Sequence, residues 1–315
     1  MTRRVLVLGG TGFVGRSLCE RLARAGFALR VPTRRLAHGQ VIQHLPALEL
    51  AQADVHDSAA LRGLLADVDA VVNLVAILHG SADAFERTHV ALPTTLAFAM
   101  REVRVRRLVH VSALGAAADA PSRYLRSKAA GEAALLAAGL ELTLWRPSVI
   151  FGASDRFMNT FARLQALAPL VPLASANARF QPVWVDDVAQ ALRRSLDDRS
   201  SIGRIYEAAG PQVFTLAELV RLAGRWAGHA RPVIGLPDAL GRLQAALMAL
   251  APGEPLMSAD NLDSMKMPNV ASGTLPGLAA LGIEPTALEA VAPLYLGRAP
   301  GRHRFNASGA QAGKG

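Results

Sequence analysis

Short uninterrupted apolar runs separated by amphipathic stretches dominate the first half of the chain, and each run is too short to make a buried helix. The runs place strands at residues 4–8, 28–32, 48–53, 70–75, 107–112 and 142–146. Between them, apolar residues recurring every three or four positions predict helices near 13–25, 58–66, 85–103 and 122–138. Asp57 or Ser58 can cap the second helix, and Gly139 ends the fourth. Strands alternating with helices predict an α/β fold, a doubly wound parallel sheet with helices on both faces.

Beyond about Pro147 the regularity loosens. Helical patterns persist near 155–168, 187–197 and 215–227, and Thr215 with Glu218 carries a capping-box signature. Prolines at 169, 172, 182, 211, 232 and 237 cut the rest into short elements, so residues 148–296 read as a smaller, irregular domain, with later segments able to return to the first. Leucines at helical spacing over residues 240–250 predict a packed helix of that domain, with a membrane surface or a partner helix as the alternative. Asp186 and Asp187 resemble helix caps more than a pair of acid/base carboxylates. From residue 297 to 315 Gly, Pro, Ala and Arg prevail without apolar periodicity, the signature of a disordered basic tail.

Composition narrows the classes. The 315 residues are 51% hydrophobic and 19% charged with a net charge of +9, a globular balance that would suit an anionic partner. The positive charge is nearly all arginine, no run of five like charges occurs and no nucleic-acid motif is present, so no nucleic-acid partner is expected. The single cysteine, Cys19, excludes an internal disulfide and a cysteine zinc site, suits a reducing compartment, and leaves no metal site expected. The N-terminus runs straight into a strand and no stretch of about eighteen apolar residues occurs, so no transmembrane span is expected. The expected location is cytoplasmic, with peripheral attachment to the inner face of a membrane left open.

Candidate chemistry begins where the first strand ends. Gly9-Gly10-Thr11-Gly12-Phe13-Val14-Gly15 joins that strand to the first helix. Glycines there permit a tight reversal, bring backbone N–H groups against a pyrophosphate and let helix and strand pack closely, with the phosphate on the positive helix end. This is a dinucleotide grip, and residues 1–147 are read as a dinucleotide-binding (Rossmann) domain. Tyr124 and Lys128 stand four apart on the fourth helix and share a face. A Tyr acid/base needs such a neighbour, because an ammonium lowers a phenol pKa otherwise about 10. With three tyrosines and three lysines in the chain, the pairing arises by chance roughly 0.03 times. Ser112 closes the fifth strand at the edge where ligands collect, and its hydroxyl can bond a substrate carbonyl.

These features together resemble the short-chain dehydrogenase/reductase superfamily, in its extended or atypical branch. The resemblance covers the glycine turn, Asp54-Val55, the stretch from Asn73 through Leu74 and Val75 to Ala76, Ser112, Tyr124 with Lys128, and Arg146-Pro147-Ser148. It implies that Tyr124 donates or accepts the proton, that Lys128 also holds the nicotinamide ribose, that Asp54 and Val55 flank the adenine, and that Leu74, Val75, Ala76 and Pro147 line the cofactor cleft. After the second strand the chain reads Thr33-Arg34-Arg35 where an acidic residue would hold a ribose 2′-hydroxyl. Two guanidiniums and a hydroxyl suit a 2′-phosphate, which favours NADP(H), with NAD(H) as the alternative.

Residues 122–128, 155–159 and 181–188 are similar to the nucleotide-binding accessory subunits of respiratory complex I and their bacterial relatives. That resemblance implies a tightly held NADPH and a respiratory or quinone-synthesising complex as partner at a membrane surface. The eleven residues between Ser112 and Tyr124 form a short loop for a nucleotide-sugar epimerase or dehydratase, and His89 stands where the extended branch often has asparagine. His89 is read as a helix-packing residue. Two functions remain open: an oxidoreductase using Ser112, Tyr124 and Lys128, or a non-catalytic redox-sensing or assembly protein.

Overall fold

The computed structural model describes residues 3–249 and 257–297. In its first half β1 (Arg4–Leu8), α1 (Phe13–Arg24), β2 (Ala28–Thr33), β3 (Leu48–Gln52), α2 (Ser58–Leu64), β4 (Ala70–Asn73), α3 (Ala82–Phe85), α4 (Leu92–Glu102), β5 (Arg107–Val111), α5 (Arg123–Leu136) and β6 (Glu141–Pro147) follow in turn. The second half holds β7 (Ile150–Phe151), α6 (Phe157–Leu167), β8 (Val171–Ala174), β9 (Arg179–Phe180), β10 (Val183–Trp184), α7 (Val185–Asp197), β11 (Ile205–Ala208), β12 (Phe214–Thr215), α8 (Leu216–Trp226), β13 (Val233–Leu236), α9 (Asp238–Ala249), α10 (Ala259–Ser264) and α11 (Leu288–Leu296).

Seven strands form one sheet in the order β11-β6-β5-β4-β1-β2-β3, every pairing parallel. This is the doubly wound fold the alternation predicts. Val5, Leu6, Val7 and Leu8 are each 0% exposed, because both faces of β1 are covered. Val5 and Val7 pack with Leu18 and Leu22 of α1 and Val188 and Leu192 of α7. Leu6 and Leu8 face Leu61 and Leu64 of α2 and Leu92 and Leu96 of α4. Strand order reverses between β1 and β4, so the carboxyl ends of these strands open a crevice.

The helix expected over 85–103 is interrupted. Residues Glu86–Ala91 form a π turn between α3 and α4. Pro93, at the start of α4, has no N–H to offer the carbonyl of His89 four residues back, so the ladder widens there. The freed carbonyl faces α5, where a Cβ on Gly131 would lie 1.9 Å from it.

A second core lies in the later half, where Phe151, Phe161, Phe180, Leu216, Leu219 and Leu288 join α6, α8 and α11. The segment between these pieces returns to the sheet: β11 pairs with β6, and Leu278 and Ile283 join the core under α1 and α7. Asp186 and Asp187 do not cap α7, whose cap is Trp184. Asp186 instead holds Arg21 of α1 through two hydrogen bonds of 2.7 and 2.5 Å, and Asp187 accepts from Thr286 N and Oγ1 at 2.7 and 3.1 Å.

Helix α9 packs on β8 as expected, but not through Leu240 and Leu243; the Leu247 side chain and Leu250 lie outside the described residues. Gly241 and Ala245 form the packed side, with Gly241 against Ala174, while Leu240 and Leu243 are 51% and 56% exposed. Small residues let α9 approach β8 closely, which turns those leucines outward. Among the described residues no helix is long and apolar enough to cross a membrane. The tail read as disordered and basic lies, from residue 298 on, outside the described residues.

Candidate active site

The glycine turn reverses the chain through Gly9, whose φ of +81° suits glycine, and closes with Gly10 N on Val7 O at 3.2 Å and Gly12 N on Gly9 O at 3.0 Å. A Cβ on Gly15 would lie 2.2 Å from Gly9 O, and one on Gly10 would lie 2.8 Å from the side chain of Val31. Gly12, exposed, caps α1 without any side-chain oxygen, and no acidic residue sits in the first turn. The leading N–H groups of α1 are thus left for an anion from outside. Thr11, Phe13 and Val14 stand half-buried around this opening. Arg16, which spacing alone does not single out, donates from Nε to Thr11 O at 3.0 Å and sets a guanidinium beside the turn.

The segment after β4 forms the facing wall. Leu74 N donates to Leu8 O at 3.0 Å, Val75 N donates to Asn73 Oδ1 at 3.1 Å, and Ala76 is exposed. A Cβ on Gly9 would come within 3.2 Å of the Leu74 backbone, so the two loops adjoin at the reversal of strand order. Beyond β2, Arg34 and Arg35 are exposed and have no ion-pair partner among the described residues. The Thr33 hydroxyl is already used, donating to Arg35 O at 3.0 Å. Asp54 Oδ1 accepts from His56 N at 3.0 Å, which makes it a turn residue as well as an edge residue, and Val55 packs half-buried on the core. His56, another group that periodicity gives no reason to notice, is held below its ordinary pKa by burial, with Arg87 and Arg34 adding to the effect.

On the other side of the crevice the structure brings Ser112, Tyr124 and Lys128 to one region. Ser112 is buried at the end of β5 and its Oγ has no hydrogen-bond partner among the described residues, as is also true of Asn73 Nδ2 and His110 Nδ1. Buried polar atoms rarely stay unpaired, so three along this edge mark a place where a ligand or water completes the bonding. α5 starts with Ser122 accepting from Leu125 N at 3.2 Å, while Asp260 of α10 reaches across to accept from Arg123 N at 2.7 Å and Tyr124 N at 3.1 Å. Pro147 is buried and its carbonyl accepts from Leu114 N at 3.0 Å, which fixes the loop after Ser112.

Lys128, 2% exposed, donates from Nζ to Val111 O at 2.8 Å, leaving two donors free. Burial pulls its pKa down to about 8 against the pull of Glu132. Tyr124 departs from expectation: desolvation by burial pushes its phenol up to about 12, and the Lys128 ammonium donates to a backbone carbonyl and not to the phenol. The phenol ring stands edge-on to Phe85 at 6.2 Å and to His89 at 5.5 Å.

His89 does more than fill space. Its Nε2 accepts from Ile77 N at 3.1 Å and its Nδ1 meets Ser127 Oγ at 2.8 Å, while Ser127 Oγ donates to Tyr124 O at 2.7 Å. The tautomer with the proton on Nδ1 satisfies all three bonds. Burial, with Lys128 nearby, lowers its pKa to about 3, so the ring is neutral. His89 thereby ties the segment after β4 to the helix that carries Tyr124.

A cavity of about 710 Å³ lies elsewhere, in the later half, between Ser175, Thr215, Arg221, Gly241 and Lys266. The glycine turn, the unpaired atoms and the helix of Tyr124 and Lys128 lie instead at the carboxyl edge of the sheet.

Fold and site together define a class: a doubly wound protein of the extended short-chain dehydrogenase/reductase type. The NAD dependent epimerase/dehydratase family matches residues 5–209, and the chain belongs to that family. It is 32% identical over 290 residues to NADH dehydrogenase [ubiquinone] 1 alpha subcomplex subunit 9 of Mus musculus mitochondria, covering 90% of this chain and 77% of that protein. It is 28% identical over 237 residues to the ceramide reductase of Caulobacter vibrioides, covering 74% of each. Among solved structures, a dTDP-glucose 4,6-dehydratase of Streptomyces venezuelae, determined with NAD and TYD bound, superposes with a TM-score of 0.63 at 24% identity, over 75% of this chain and 85% of that one.

Proposed function

We propose that this chain holds NADP(H) at the carboxyl edge of the sheet and reduces or oxidises a carbonyl compound there. The observation that carries the reading is the buried, unpartnered Ser112 hydroxyl in the same region as Tyr124 and Lys128. Gly9 to Gly15 would hold the pyrophosphate on the open end of α1, Asp54 and Val55 would flank the adenine, and Leu74, Val75, Ala76 and Pro147 would line the cleft. Lys128 would place its two free donors on ribose hydroxyls. The nicotinamide supplies hydride chemistry when bound. Ser112 Oγ donates to the substrate oxygen, and Tyr124 Oη delivers or removes the proton at that same atom.

Preference for the 2′-phosphorylated cofactor is supported by Arg34 and Arg35, exposed and without an ion-pair partner among the described residues, where an acidic residue would otherwise stand. Replacing both with serine is expected to weaken NADPH binding by about tenfold or more for each charge-assisted hydrogen bond removed, with NADH binding little changed. Isothermal titration with the two coenzymes checks this. An equal weakening of both would sink the preference.

A second reading is favoured by the extent of similarity to the mitochondrial subunit and by the outward leucines of α9. In it the bound coenzyme is structural, and the later half docks on a respiratory or quinone-related assembly at the cytoplasmic face of a membrane. Tyr124→Phe separates the two. Loss of carbonyl reduction with coenzyme binding intact supports an oxidoreductase, whereas a cellular phenotype untouched by Tyr124→Phe but abolished by the arginine changes supports a scaffold.

A further inference from the structure

Charges of alternating sign run from the candidate site into the interior. Lys128 on α5 is followed one turn later by Glu132, 3% exposed. The Glu132 carboxylate is gripped by Arg146 of β6, through Nε at 2.9 Å and a second hydrogen bond from Nη2. Arg146 stands in register with Glu207 of β11, 7% exposed, and Glu207 accepts from Ser272 N at 2.7 Å and Ser272 Oγ at 2.9 Å. Buried ion pairs are poor stabilisers, since apolar side chains of similar volume often serve as well. A pair kept at this place therefore calls for another reason.

That reason is Lys128. The titratable groups facing it are Tyr124 and Glu132 on its own helix, His89 on the π turn and His110 on β5. Both imidazoles are neutral because burial holds their pKa values down, and Tyr124 is un-ionised. Among these groups Glu132 alone brings negative charge. The nearest partner of Lys128 itself is a backbone carbonyl, so the attraction of Glu132 acts through space. Arg146 in turn stabilises the ionised form of Glu132 with two directed N–H groups.

We infer that Glu132, clamped by Arg146, is a positioning residue that keeps Lys128 in its ammonium form, with free donors directed at the ribose hydroxyls of a dinucleotide. The inference rests on the proposed role of Lys128 in the cleft, but its test reads the lysine directly.

The chain has three lysines, Lys128, Lys266 and Lys314. Lysine labelled with ¹³C at Cε therefore gives three resolvable titrations, and Lys266→Arg and Lys314→Arg assign Lys128 by elimination. In the full-length protein the Lys128 midpoint is expected near pH 8. Glu132→Gln is expected to lower it by about one unit, a tenfold change in the ammonium-to-amine ratio. The pH at which NADPH affinity falls is expected to move with it. Glu132→Asp keeps the charge and is expected to keep the midpoint.

Should Glu132→Gln not fold, the double change Glu132→Gln with Arg146→Met removes both charges of the clamp, with Glu207 still held by Ser272 N and Oγ. Its Lys128 midpoint is expected between the other two. An unmoved midpoint in a folded variant lacking Glu132 overturns the inference, even if NADPH affinity drops. An absence of NADPH binding in the parent protein, with Lys128 responding as described, sinks the proposed function and leaves the electrostatic role of Glu132 standing.

Discussion

At the scale of single residues, the glycines of the opening turn and His89 carry the sharpest consequences. A methyl group on Gly15 would lie 2.2 Å from Gly9 O, which the backbone must move to relieve. Gly15→Ala is expected to cost on the order of 3 kcal/mol and to abolish coenzyme binding, measured by urea denaturation and titration calorimetry. His89 sets a pH limit. Its folded pKa of about 3 lies below the unfolded value of 6.5, so the unfolded chain takes up a proton first as the pH falls. Stability from the neutral ring is present above pH 6.5 and is lost on descent towards 3. Between neutrality and pH 5 the loss is about 2 kcal/mol. His89→Gln should be flatter over that interval, and a variant with the parental slope would refute the assignment. The glycine spacing announced a tight turn in the sequence, whereas the bonds of His89 were not announced, because its partners Ile77 and Ser127 come from distant segments.

At the scale of elements, the helix that presents Tyr124 and Lys128 is held from three sides: by its own Ser122 cap, by Asp260 from α10, and by the π turn against Gly131. The approach at Gly131 is the tightest. Gly131→Ala would set a Cβ 1.9 Å from the His89 carbonyl and must push α5 away from the π turn. A loss of about 3 kcal/mol is expected, together with a Tyr124 displaced from Ser112, which a crystal structure of the variant would show. Sequence periodicity located α5 and α4 but smoothed over the interruption between α3 and α4. The Pro93 that causes it is harmless at the start of a helix, and only its effect on the carbonyl of His89 reveals the π turn. Similarly, spacing identified the leucines of α9 but not the side that packs, since Gly241 and Ala245 approach β8 more closely than any leucine can.

At the scale of the whole molecule, two cores are joined by strands and loops that cross the carboxyl edge. Asn269 is the densest of these links: its Oδ1 accepts from Ser148 Oγ at 2.7 Å and Val149 N at 2.9 Å, and its carbonyl accepts from Gln181 N at 3.0 Å. Asn269→Ala strands Val149 N and leaves Ser148 Oγ only the backbone carbonyl of residue 269, to which it also donates at 3.0 Å; it is expected to cost about 1–2 kcal/mol, read from thermal unfolding, and to weaken coenzyme binding by loosening the segment after β6. Unchanged stability would remove this residue from the set of links. The doubly wound order, the glycine grip and the Tyr124–Lys128 pairing were all legible from local pattern, because each depends on residues within a few positions of one another and on the periods of strand and helix. Which buried atoms remain unpaired, that the His89 ring stands near Lys128, and where Asp260 and Asn269 land were decided by tertiary structure alone. Those interactions join residues tens to more than a hundred positions apart, and their energies come from desolvation and direction, which no one-dimensional spacing records.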